Sequence, residues 1–178
     1  MINDKNITLK NSMNYGAMGG LAIVVFILIF YFSGNAFSEY LGYLRYAILL
    51  IAIIGGTRQL RDRHSGGFIT YKNALGSGVL ISFFISFIVG FFYYILFEVI
   101  DPGLINEYYA MLEEQMLQSG NMSEDEIVAF VDLYKRFTTS LTYSIAYIFA
   151  ITFMGFISSL IIAIFLKKDT NPFSSANN

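Results

Sequence analysis

The chain has no cysteine and no tryptophan, and only one histidine and two prolines in 178 residues. The missing cysteines exclude disulfides, thiolate nucleophiles and cysteine metal sites. The lone histidine, His64, sits among Arg61, Asp62, Arg63 and Ser65, where a solvated loop side chain is the ordinary reading. Charge is scarce too. Only 13% of residues are charged against 56% apolar, too few for the surface of a soluble domain, so the chain belongs with membrane proteins. No HExxH, GxSxG, Walker or GxGxxG pattern is present, and catalysis needs groups that converge. The chain is therefore expected to be no enzyme, to carry no cofactor and no metal, and to have no nucleic-acid partner.

What it has instead is long hydrophobic runs. The most informative is Ala74 to Phe97, twenty-four residues without charge or proline. As a helix it would be roughly 36 Å long, enough to cross a hydrocarbon core of roughly 30 Å with some tilt. Ala74, Gly78, Ser82, Ser86 and Gly90 recur in it at every fourth residue. In lipid no hydrophobic drive brings helices together, so such a row of small side chains, with its serine hydroxyls, marks where another helix approaches. This span is expected to be the hub of a bundle. Tyr15 to Phe32 is the first span, read as an uncleaved helix because its apolar core is long and a second span follows at once. Gly16 and Gly20 give it a small pair of its own. Tyr40 to Gly56 is the second, and residues 138–168 hold the fourth, in which Gly155, Ser159 and Ala163 repeat the small-every-four spacing and are placed to pack on the row in span three.

The charges orient these spans. The loop 57–73 carries Arg58, Arg61, Arg63 and Lys72 against Asp62, which makes it cytoplasmic and puts its basic side chains within reach of lipid headgroups. Gly66 and Gly67 break it into an interfacial elbow. From Glu98 to Asp132 there are nine acidic residues and no lysine or arginine, which places residues 98–137 outside the cytoplasm. Residues 1–14, with Lys5 and Lys10, and the tail 169–178, behind Lys167 and Lys168, return to the cytoplasmic side. Arg45 is the one charge well inside a span. It lies roughly 18 Å from the basic end. It is expected to snorkel to the nearer headgroups or to pair with Glu98.

The acidic insert has its own pattern. Asp101, Pro102 and Gly103 make a turn, and Leu104 to Ser119 carries Ile105, Tyr108, Leu112 and Met116 on one face. Gly120 is a stop signal, and Ser123 with Glu126 reads as a capping box opening a second helix with Ile127, Phe130, Val131, Tyr134 and Phe137 along one face. Thr138 to Thr142 are expected to emerge from the membrane, where they can continue that helix. The carboxylates of Glu113, Glu114 and Glu124 to Glu126 read as solvated helix faces rather than a cation site. The fold class is all-α: four transmembrane helices with an extracytoplasmic helical hairpin between the third and fourth.

Three groups of residues together resemble an uncharacterised bacterial membrane family, domain of unknown function 4199. They are the elbow Gly66-Gly67-Phe68-Ile69-Thr70-Tyr71 running on through Ala74 and Gly78, the insert with Ser119-Gly120 and Glu126-Ile127, and the ending Leu160 to Lys168. The resemblance implies a four-helix bacterial inner-membrane protein, and transfers no reaction, substrate or catalytic residue. It also suggests a glycosyltransferase or another enzyme of envelope biogenesis as partner.

Three functions fit. The first is a non-catalytic subunit or scaffold, meeting another integral membrane protein or itself through the small-residue rows and the hairpin. The second is an oligomeric transporter or channel, with Arg45 facing an anionic solute and Ser82, Ser86 and the tyrosines at 43, 46, 93, 94, 143 and 147 along a wet path. The third is a lipid-binding accessory protein holding an anionic headgroup with Arg58, Arg61, Arg63 and Lys72.

Overall fold

A computed structural model describes residues 4–168, with side chains from Asn6 onward. Lys5 and the tail 169–178, both expected on the cytoplasmic side, therefore lie outside the described side chains. Six helices account for nearly all of it: α1 (Asp4–Phe32), α2 (Glu39–Gln59), α3 (Tyr71–Ile95), α4 (Leu104–Ser119), α5 (Glu124–Phe137) and α6 (Ser140–Leu166). Two of them end in a widened π turn, α2 over Leu60–His64 and α3 over Leu96–Ile100. Among the described residues, four helical stretches are long and apolar enough to cross a membrane: Asn6–Phe32, Glu39–His64, Tyr71–Ile100 and Ser140–Leu166. The protein is an all-helical, multi-pass membrane protein.

The elements overrun their expected bounds. α1 starts at Asp4, so most of the polar segment 1–14 is helix, and Asn11 and Ser12 in it are buried. Thr138 does not continue α5: its backbone turns to φ −106°, ψ 86°, and α6 begins afresh at Ser140. Gly120 closes α4 with φ 65°, a left-handed conformation that glycine adopts without a Cβ clash. Glu126 accepts hydrogen bonds from the Ser123 backbone N–H at 2.9 Å and hydroxyl at 2.8 Å, the expected capping box.

The chain divides into two compact units, Met1–Val89 with Ile148–Asn178, and Gly90–Tyr147. In the first, α3 is the hub. Of the best apolar window of each span, 44% is buried in α3 but only 17% in α6. Ile81 and Ile85 of α3 and Ile53 of α2 have no exposed surface, while Phe83, Phe87, Phe149, Phe153 and Ile161 point outward to where lipid would be. The elbow after α2 is closed by backbone pairing. Ile69 N–H donates to Lys168 O at 3.0 Å and Lys168 N–H to Ile69 O at 2.9 Å, which ties the end of α6 to the start of α3.

In the second unit, α4 and α5 form the hairpin around Tyr109, Ile127 and Val131, with Ile105, Tyr108, Met116 and Tyr134 packed against them. A buried aliphatic side chain contributes only about 1.5–3 kcal/mol, and isolated helices of this length are marginal in water, so so small a core needs further support. Rings supply it. Tyr108 meets Tyr143 at 5.1 Å, Tyr143 meets Phe97 at 5.1 Å and Tyr93 at 5.7 Å, and Tyr93 meets Tyr147 at 5.0 Å. Tyr109 O–H donates to Thr138 O.

Candidate functional site

Ala74, Gly78, Ser82 and Ser86 of α3 meet Ala163, Ser159, Gly155 and Thr152 of α6 in one antiparallel seam. Ala74 and Ala163 share a buried cluster with Leu60 and Ile69. One turn on, Gly78 faces Ser159; another turn on, Ser82 faces Gly155; and then Ser86 Oγ lies 2.8 Å from Thr152 Oγ1. A Cβ added to Gly78 would fall 2.4 Å from Ser159 Oγ. The two glycine–serine steps are reciprocal. Ser82 donates to Gly78 O at 2.8 Å and Ser159 to Gly155 O at 2.6 Å, so each hydroxyl is satisfied one turn back on its own helix and offers the other helix only its small bulk. The serines that were expected to bond across the seam thus do so at Ser86 alone among these contacts. Gly90 is buried as well.

A second seam joins α1 to α3 and α2. Gly16 and Gly20 meet Phe84 and Ile88 rather than small residues, a Cβ on Gly16 falling 2.4 Å from Phe84 Cβ. Polar atoms lie below it. Asn11 Nδ2 donates to Gly56 O at 2.9 Å, Ser12 Oγ lies 3.5 Å from Ser77 Oγ, and Tyr15 O–H donates to Gln59 Oε1 at 2.5 Å. Spacing could not find these, because polar residues before a span read as tail. Thr57 Oγ1 is buried here with no hydrogen-bond partner.

Arg45, in the first unit, is half-buried, and its Nη2 lies 3.9 Å from where a Cβ on Gly42 would stand. Its side chain therefore runs back toward the start of α2, the direction of snorkelling. Glu98 belongs to the second unit and is exposed. Ser82 and Ser86, offered above as pore lining, are buried in the α3–α6 seam.

At the basic end, Arg58, Arg63 and Lys72 are exposed, whereas Arg61 is half-buried and taken up by its neighbour. Its Nε donates to Asp62 Oδ1 at 2.6 Å and its Nη2 to Asp62 Oδ2 at 3.1 Å, with Nη1 reaching Leu166 O at 3.4 Å. Two clefts open beside it. One, of about 390 Å³, is lined by Asn6, Lys10, Asn11, Asn14, Gln59 and His64. The other, of about 280 Å³, lies between the elbow, the first turns of α1 and Lys168.

On the hairpin, the burial is offset from the expected stripe. Tyr109 is buried, while Phe130, Leu133 and Phe137 are exposed along one side of α5. Burial raises the Tyr109 and Tyr108 hydroxyl pKa values, with the neighbouring Tyr134 hydroxyl acting in the same direction on both. Hydrogen bonds from Ser123 hold Glu126 below its ordinary value.

No curated protein and no solved structure matches the chain. A family model described as protein of unknown function (DUF4199) matches residues 14–168, which takes in all four spans, the elbow and the hairpin. The chain belongs to that family.

Proposed function

We propose that the protein is a non-catalytic subunit or scaffold of the bacterial inner membrane, with both termini cytoplasmic and the hairpin outside, serving another integral membrane protein such as an envelope-biogenesis enzyme, or itself. The observation that carries this reading is the use made of the interior's polar atoms. Ser12, Ser77, Ser82, Ser86, Ser159 and Asn11 are taken up in holding helices to one another or in satisfying their own helix, which builds a rigid frame rather than a reaction centre. Because the small-residue rows meet inside the chain, the hairpin is the remaining surface of the two first assigned to a partner. Its exposed Phe130, Leu133 and Phe137 are the residues to test. A photo-crosslinking amino acid at Leu133, activated in native membranes, is expected to capture one protein in stoichiometric yield, or a second copy of this chain. Equal, low yields at Leu133 and at Glu114 on α4, with a monomer in gentle detergent, would contradict the proposal.

A further inference from the structure

The smaller cleft at the basic end has a chemistry that the scaffold reading does not use. Its polar lining is Thr8, His64, Ser65, Thr70, Asn73 and Lys168, with no carboxylate among the described lining residues. Every one of these side chains has an N–H or O–H to donate, or in the case of histidine gains a second on protonation. Thr70 Oγ1 accepts the Asn73 backbone N–H at 3.4 Å, which leaves its proton for another acceptor. Lys168 is fixed at the rim by the backbone pairing with Ile69, and its ammonium stands 5.4 Å from the centre of the Phe68 ring. The neighbouring carboxylate, Asp62, is engaged by both Nε and Nη2 of Arg61. A donor-rich cleft with a cation at its rim is built for an anion, and the exposed Arg58, Arg63 and Lys72 raise the local anion concentration around it.

We propose that this cleft binds a phosphate group, carried by a lipid headgroup or free in solution. Its volume of about 280 Å³, near the lower end of the roughly 300–1,000 Å³ of small-molecule sites, accommodates a phosphate with a small substituent. Phe68 and Ile69 give it an apolar wall at the level where α3 begins and α6 ends, which is where a headgroup phosphate lies if those helices span. The binding residues are accordingly Lys168, His64 and the hydroxyls of Ser65 and Thr70, not the arginine cluster to which the sequence first assigns headgroup contact.

The test uses full-length protein in phosphatidylcholine nanodiscs doped with phosphatidylglycerol, with lipid retention read by native mass spectrometry and inorganic phosphate binding read by phosphorus NMR. Lys168, Ser65 and Lys72 are all exposed, so changing them spares the packed interior. Lys168→Gln is expected to lower binding roughly tenfold and Ser65→Ala roughly threefold, as for lost hydrogen bonds to a charged group, while Lys72→Gln lowers it by clearly less. Retention of phosphatidylglycerol that phosphate does not displace, with this ranking, assigns the lipid as source. Phosphate binding with the same ranking assigns the free anion. Equal losses in Lys168→Gln and Lys72→Gln with none in Ser65→Ala would mean diffuse surface charge and overturn the proposal, as would retention of neither probe.

Discussion

Gly155 and Ser82 meet so closely across α6 and α3 that a Cβ on the glycine would lie 2.0 Å from the serine oxygen. Nothing larger than hydrogen fits there without moving a helix. The contact is one rung of a seam in which the small residues of each helix are matched to those of the other, and it sets how near the two backbones come.

Gly155→Leu should therefore destabilise the fold by about 1–3 kcal/mol or more through overpacking. Gly76 on α3 is the control: a Cβ there meets nothing within 4 Å, so Gly76→Leu should leave the thermal midpoint in detergent nearly unchanged. Equal effects at the two positions would mean that the seam is not what the glycine serves.

Thr57 carries a buried hydroxyl without a partner. Leaving such a group unsatisfied costs about 1–3 kcal/mol, and valine has nearly the same shape without the polar atom. Thr57→Val is expected to raise the unfolding midpoint in a detergent denaturation series. A fall would show that the hydroxyl has a role that burial alone does not reveal.

Ile127 and Leu133 lie on the same helix but only 1% of the first is exposed, against 55% of the second. Ile127→Ala should cost about 2–5 kcal/mol of hairpin stability, and Leu133→Ala little, by hydrogen exchange of the α5 amides. The reverse order would mean that the hairpin packs through its other side.

The Ser123–Glu126 cap makes the hairpin acid-sensitive. Glu126 is held below its ordinary value of 4.5 because the Ser123 backbone and hydroxyl donate to its carboxylate. A carboxyl depressed in the folded state stabilises fully above its unfolded pKa and loses that contribution as pH falls through the folded one. Amide protection at the start of α5 should decline as pH drops below 4.5, and Glu126→Gln should flatten that decline. An unchanged pH profile in the variant would remove the cap from the explanation.

Several of these features were legible in the sequence because they are local. Gly120, Ser123 with Glu126, and Gly66-Gly67 act through the backbone of their own turn, and the four-residue spacing from Ala74 to Ser86 is a property of one helix face. What the sequence hid is tertiary. Asp4 to Asn14 has no apolar period, yet it is helix whose Asn11 and Ser12 are buried against α2 and α3. Gly16 and Gly20 read as a small pair awaiting small partners, but they receive Phe84 and Ile88. The cleft at the basic end exists only because the Ile69–Lys168 pairing brings residues a hundred positions apart to one rim.

The central proposal is a chain that crosses the membrane four times, with the elbow proposed to lie in the cytoplasm and the hairpin turn outside it. The absence of native cysteine makes one measurement decisive, since Ser65→Cys and Asn121→Cys each create a single thiol. In sealed right-side-out vesicles, an impermeant maleimide should label the Asn121→Cys protein and reach the Ser65→Cys protein only after the membrane is opened. Labelling of both from the same side would contradict the account.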